Sequence, residues 1–259
     1  MIRGLRNIER RLLPHGWVDA ARQVLLFAGA YFAYELVRGT IDTKAATAVW
    51  NATKIINLEH SLHVFVEPSV QAWASSRSVI IHLAVWMYLN AHFAVTLGAL
   101  LYLYLARNAS FYFVRNMFMV AMALALVGYT VYPTAPPRLM PEWGFTDSVA
   151  ALTNVRVENA GVSALLNLYA AVPSMHVCFA LMVGWPLARL VRPRPLKVAW
   201  ALYPFLVTFV VVATGNHYLL DAALGGFTAG VSALVAQQLL ARARPKVWSF
   251  GAPKAEAAA

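Results

Sequence analysis

Val79-Ile-Ile-His-Leu-Ala-Val-Trp-Met-Tyr-Leu-Asn-Ala-His-Phe-Ala-Val-Thr-Leu-Gly-Ala-Leu-Leu-Tyr-Leu-Tyr-Leu105 contains no aspartate, glutamate, lysine or arginine. A helix that crosses the hydrocarbon of a bilayer needs roughly 20 mainly apolar residues. This stretch therefore reads as a membrane span, and five others accompany it, at 20–37, 115–132, 174–191, 196–213 and 217–240. The expected fold is an all-α, polytopic bundle of six membrane-spanning helices over 20–240. A basic N-terminus at 1–19 precedes it, and a polar tail at 241–259 follows. Basic residues before the first span resemble a signal peptide, but Ala28-Gly29-Ala30 lies mid-core with more apolar chain beyond, so the segment reads as a retained anchor. The tail beyond Arg244 reads as disordered.

Composition agrees with a membrane protein. Of 259 residues, 60% are hydrophobic and 12% charged, against about 25% charged in a soluble domain. The one cysteine, Cys178, excludes an intramolecular disulfide and sits in an apolar run, as a small buried hydrophobe would. Net charge is +10, and its distribution explains it without nucleic acid. With six spans, 15 of the 21 lysines and arginines fall on the side of the termini, Arg107 and Arg115 among them. By the positive-inside rule both termini are cytoplasmic. The basic flanks also favour anionic lipid headgroups. Rich alanine and arginine usage suggests a bacterial source and hence the plasma membrane; the triplet Asn51-Ala-Thr53 would matter only in a eukaryotic secretory pathway.

The two long connections are then external. Residues 39–78 mix Trp50, Ile55, Ile56, Leu58, Phe65 and Trp73 with polar residues, the pattern of one or two interfacial helices. Residues 133–173 are rich in proline, asparagine and charge, and a loop this long is often functional. Three polar clusters sit where spans meet this side: Pro133-Thr-Ala-Pro-Pro-Arg138, Pro173-Ser-Met-His176 and Gly215-Asn-His-Tyr-Leu-Leu-Asp221.

The clusters supply the parts of phosphoryl transfer. His217 and Asp221, four apart, share a face if both are helical. A carboxylate there fixes the imidazole tautomer and leaves the other nitrogen as nucleophile or base. Asp221 is also the only acidic residue in its span, and an ionisable group at membrane depth is a functional candidate. Ser174 is an N-cap, and the first turn after it, at Met175 and His176, offers free N–H groups to a phosphate. Arg138 suits bidentate binding of phosphate oxygens, and Asn216 adjoins the nucleophile. A structural His–Asp pair is the plainer alternative. A metal site built from His176, His217 and Asp221 is another, and the scarcity of carboxylates speaks against it.

At these residues the sequence resembles the type 2 phosphatidic acid phosphatase (PAP2) superfamily, the lipid phosphate phosphatases. Pro173-Ser-Met-His176 is similar to its Pro-Ser-Gly-His motif, and His217-Tyr-Leu-Leu-Asp221 to its final His-x-x-x-Asp motif. The resemblance implies a six-helix fold and a phosphohistidine mechanism without cofactor or metal. His217 would be the nucleophile, Asp221 its orienter and His176 the general acid, and Arg138, Ser174, Met175 and Asn216 would border the phosphate. There are departures. Val131 stands where the family has a lysine, Leu139 follows Arg138 where it has proline, Val210 and Val211 replace Ser-Arg, and Met175 replaces glycine. Pro-Pro-Arg-Leu and the region of Glu59 and Glu67 look closer to the inositol phosphorylceramide synthase-like (aureobasidin-resistance) branch, whose members transfer a phosphoryl headgroup to an alcohol. The expected activity is a lipid phosphate phosphatase or phosphotransferase at the outer membrane face. Headgroup transfer to a lipid or sugar alcohol is the alternative acceptor chemistry, and a lipid transporter is the alternative without catalysis. Nothing in the sequence sets the oligomeric state.

Overall fold

A computed structural model describes residues 13–39, 45–153 and 169–250. The described residues form helices α1 (Gly16–Gly39), α2 (Ala45–Ser61), α3 (Glu67–Ser75), α4 (Ser78–Ala106) and α5 (Asn108–Val131). Then come α6 (Ser148–Thr153), within the connection 133–173, α7 (Met175–Leu190), α8 (Arg194–Ala213), α9 (Leu219–Ala243) and α10 (Pro245–Trp248). Two short 3₁₀ turns, Pro137–Leu139 and Pro141–Trp143, shape the loop, and among these residues the only extended pairing is one bridge, Thr134 with Ala170.

Four helices, α4, α5, α8 and α9, are long and apolar enough to cross a bilayer, which marks a membrane protein. Helix α7 is apolar but has 16 residues, about 24 Å of rise against a hydrocarbon core of about 30 Å. Helix α1 has the length, with Asp19, Arg22, Gln23 and Glu35 breaking its apolar run. Helix α7 is the hub, touching α4, α5, α8 and α9. Small residues let its neighbours approach: a Cβ on Gly184 would lie 2.8 Å from the Trp200 carbonyl oxygen of α8, and one on Gly225 of α9 only 2.4 Å from that of Ser174.

Helix bounds move two expectations. Arg115 lies inside α5, because the chain turns from α4 to α5 at Arg107 alone. It is buried there, donating to Gln23 Oε1 at 2.9 Å and Asn116 Oδ1 at 2.7 Å, so it is not a solvated connection residue. The tail is also ordered farther than its composition suggests: α10 packs on α5, and Phe250 meets Phe113 and Trp185. Most of the basic N-terminus and residues 251–259 lie outside the described residues.

The first long connection forms two helices that roof one end of the bundle. Helix α2 buries Ala48, Asn51, Ala52, Ile55, Ile56 and Glu59, and α3 buries Glu67, Gln71 and Ala74, each set at helical spacing. Trp50 and Leu58 remain on the outer face. The Asn51 amide donates to the Pro133 carbonyl at 2.9 Å and is buried, so the triplet is no accessible modification site.

The roof is fastened through carboxylates. The first N–H groups of a helix have no partner within it, and here the roof supplies two. Glu67 Oε1 accepts from Leu219 N–H at 2.8 Å, and Glu59 Oε1 from Leu220 N–H at 2.7 Å. Asp221 Oδ2 accepts from Tyr218 N–H at 2.9 Å. All three carboxyls are buried. Removing one would leave a buried N–H without a partner, costing about 1–3 kcal/mol.

Burial, then the hydrogen-bonding Glu67 carboxyl, then the charges of Glu67 and Asp221 push Glu59 up from 4.5 to about 9, with only the Leu220 N–H pulling the other way. The folded protein thus keeps a proton that the unfolded chain has lost between those values. Glu59's contribution to stability is full below the unfolded value and drains away as pH rises through about 9. We expect the unfolding temperature to fall on going from about pH 5 to about pH 9. Glu59→Gln keeps an acceptor for Leu220 and cannot ionise, so its decline should be shallower; parallel curves for the two proteins would refute the raised titration of Glu59.

Candidate active site

The turn from α8 to α9 carries the first histidine. Gly215 takes a positive φ of 69°, and a Cβ there would fall 2.5 Å from Gln71 Nε2 of the roof. The Val211 carbonyl accepts from both Asn216 and His217 N–H groups at 2.9 and 3.2 Å. His217 therefore precedes α9 in extended chain and is not on a helical face with Asp221. The contact forms another way: Tyr218 is the N-cap, and Asp221 in the first turn reaches back. His217 Nδ1–H donates to Asp221 Oδ2 at 3.3 Å, the oxygen that also receives Tyr218 N–H. With Nδ1 so engaged, Nε2 is the nitrogen left for chemistry.

Helix α7 carries the second histidine. Ser174 caps it, its hydroxyl accepting from Val177 N–H at 3.5 Å. Ser174 N–H donates to the Asp221 carbonyl at 3.0 Å, so the starts of α7 and α9 are tied backbone to backbone. The His176 and His217 ring centroids are 5.9 Å apart, the scale of one phosphoryl group held between an attacking and a departing atom. Tyr88 stacks on His176 at 4.5 Å, Phe93 meets it edge-on at 5.6 Å, and His92 lies at 5.1 Å. A cavity of about 90 Å³ is lined by both histidines and Met175. The free first-turn N–H groups of α7 suit an anion there, whereas those of α9 are already taken by carboxylates.

Arg138 and Asn216 stand beside this cavity rather than in its lining. Arg138 N–H donates to the Gly215 carbonyl at 2.8 Å, and its guanidinium holds the Asn216 side-chain oxygen. Its Nε is 3.9 Å from Asp147 Oδ2, a partner that sequence reasoning missed. The Asn216 amide donates to Thr214 Oγ1 at 2.8 Å, so Asn216 braces Arg138. Val210 and Val211, at the places of the family's Ser-Arg, are buried in the last turn of α8.

Among the lining residues that escaped the sequence reading are Glu35 of α1 and Tyr88, His92 and Phe93 of α4. His92 bonds Tyr203 OH at 3.0 Å through Nδ1. A signal was present, since Glu35 and His92 are ionisable residues within apolar spans. The π turn Met87–Ala91 was not readable, and it sets the facing of Tyr88 and His92. Among the described residues no three His, Cys, Asp or Glu side chains are grouped to hold a metal ion.

The bracing of two histidines at paired helix starts can be compared with known proteins. No curated protein matches the chain, and no solved structure does. A family model described as the PAP2 superfamily matches residues 53–235, which take in α2 to most of α9 and both histidine motifs. With well over half of its 259 residues matched, the chain belongs to the PAP2 superfamily.

Proposed function

We propose that this protein is a membrane phosphatase or phosphotransferase acting on the phosphate ester of a lipid. The observation that carries this reading is the pair of histidines 5.9 Å apart in one cavity, with His217 held by Asp221. His217 Nε2 attacks phosphorus as the bond to the leaving oxygen breaks. His176 gives that oxygen a proton, since an alkoxide leaves poorly. Phosphohistidine at position 217 results. His176, now neutral, takes a proton from the acceptor hydroxyl, whose oxygen attacks phosphorus and breaks the P–N bond. Asp221 keeps the imidazole in register throughout. Arg138 and the start of α7 stabilise the phosphoryl oxygens. No metal is required, because Asp221 is already engaged by two N–H donors.

In the bilayer we place six crossings, with α1 and α7 joining the four longer helices. Both termini are cytoplasmic and the site is external, at a bacterial plasma membrane, with the basic flanks on anionic headgroups. A second reading concerns the acceptor. Glu35, Tyr31, Tyr34 and Tyr129 line the histidine cavity and could order an alcohol in place of water. That favours headgroup transfer, as in the inositol phosphorylceramide synthase-like branch, over hydrolysis.

Product analysis of the purified protein with a panel of lipid phosphates, with and without inositol or a lipid alcohol, tests the function. We expect a released or transferred phosphoryl group in EDTA, and none with His217→Ala. Loss of turnover in EDTA, restored by a divalent ion, would favour metal hydrolysis. Arg138→Ala should lower the rate by about 10²–10³-fold, and Arg138→Lys should not restore it, since a lysine cannot hold Asn216 and Asp147 together. Normal rates in Arg138→Ala would assign the positive field elsewhere.

Orientation is tested in intact cells. Cysteine at the exposed Ser75 of α3 should react with an impermeant thiol reagent, while one at the exposed Arg192 between α7 and α8 should not. Native Cys178 is buried and silent. The reverse pattern would turn the site to the cytoplasm.

A further inference from the structure

Away from the roof, the bundle is open along one seam. Helix α1 packs along α5 and stands off α4. The gap is a cleft of about 650 Å³ between α1, α4, α5 and α7. Its walls are nearly all apolar. Val24, Phe27 and Ala28 line it from α1, and Leu97 and Leu101 from α4, each set spaced by three or four residues as one helix face. Tyr31, Phe93 and Phe179 line both this cleft and the histidine cavity, so the two adjoin.

The far end is polar. Gln23 and Tyr104 line it there. The Tyr104 hydroxyl donates to Asp19 Oδ2 at 3.0 Å, as does Tyr112 at 2.8 Å, and Gln23 Nε2 donates to Asp19 Oδ1 at 2.9 Å. From Phe93 to Tyr104 is eleven positions, or about 17 Å along a helix. One leaflet of a bilayer's hydrocarbon is about 15 Å thick. The cleft therefore has the length of a lipid chain, an apolar wall, a polar stop at one end and the two histidines at the other.

We propose that this cleft seats one hydrocarbon chain of the lipid whose phosphate lies between His217 and His176. The inference rests on the lipid-phosphate reading and adds where the apolar part of the substrate goes. It makes the protein a reader of chain as well as headgroup. A chain lying in the cleft holds the phosphate at the start of α7, where binding of a remote part of the substrate positions the reacting group. Ordinary surrounding lipid is the competing occupant, and it would show no preference for a phosphate monoester.

Photo-crosslinking separates the two. Phosphatidic acid with a diazirine in the distal half of one palmitoyl chain is irradiated with the full-length protein in phosphatidylcholine nanodiscs, and adducts are mapped by mass spectrometry. Phosphatidylcholine with the same labelled chain is the control. We expect phosphatidic acid adducts to concentrate on α1 from Ala20 to Tyr31 and on α4 from Phe93 to Tyr104, above the control. Leu97 is 67% exposed, so a tryptophan fits there without disturbing the core. Leu97→Trp should lower those adducts by about tenfold, as expected if about two methylenes lose their burial. Equal labelling by both lipids would overturn the proposal. So would adducts spread over outward residues such as Val79, Leu206 and Phe227, or no effect of Leu97→Trp. If labelling is even while lipid phosphate is still turned over, the cleft inference fails alone. If the cleft labels selectively while every lipid phosphate survives incubation, the catalytic reading fails and a lipid site remains.

Discussion

The start of α9 is where the structure is most constrained. Its first backbone N–H groups are buried beneath a roof of helices, so each needs an acceptor other than a helix carbonyl. Glu59 and Glu67 supply two from the roof, and Asp221 supplies one from the helix itself. These carboxyls fix the height at which α9 begins, and with it the position of His217. They also join the roof helices to the membrane bundle at the point where the chemistry is proposed. Three buried carboxylates would repel a phosphate strongly. Burial and the neighbouring carboxyls favour a proton on Glu59, which reduces that charge while Oε1 still accepts from Leu220. The anion-attracting helix start that remains is that of α7, and it is pinned to α9 by Ser174 N–H and the Asp221 carbonyl.

This arrangement also bears on the departures from the family motifs. Val210 and Val211 replace the expected Ser-Arg, but their carbonyls hold the turn from α8 into His217. Among the described residues, the cation bonded to this turn is Arg138. It is held by three groups on two segments, the Gly215 carbonyl, Asn216 and Asp147. One well-oriented guanidinium with the α7 dipole can do the work of several looser cations, because orientation is what makes such a group effective toward a transition state.

Much of this was legible in the sequence, and for a physical reason: membrane spans and helix caps are local features. The apolar runs located α4, α5, α7, α8 and α9 to within a few residues, except at the start of α5. There the helix begins seven positions early, because Arg115 is buried by Gln23 and Asn116 and so behaves as a core residue. The contact of His217 with Asp221 was legible too, although it arises from a carboxylate reaching back over a helix start and not from a helical face. Tertiary pairings were out of reach. Nothing local says that Glu59 and Glu67 cap a helix about 150 positions away, that Asn216 braces Arg138, or that a π turn in α4 brings Tyr88 and His92 to His176. Glu35 and His92 were visible as charges in apolar runs, but periodicity alone does not say what they face.

The central claim is that His217 is covalently phosphorylated during turnover. Rapid acid-free quenching of the purified protein with a radiolabelled lipid phosphate, followed by peptide mapping under alkaline conditions, tests it most directly. The account predicts acid-labile, base-stable label on the peptide containing His217, present in the wild type and enriched in His176→Ala. Label on His176 in its place would exchange the roles of the two histidines, and turnover with no label on either would contradict the covalent mechanism altogether.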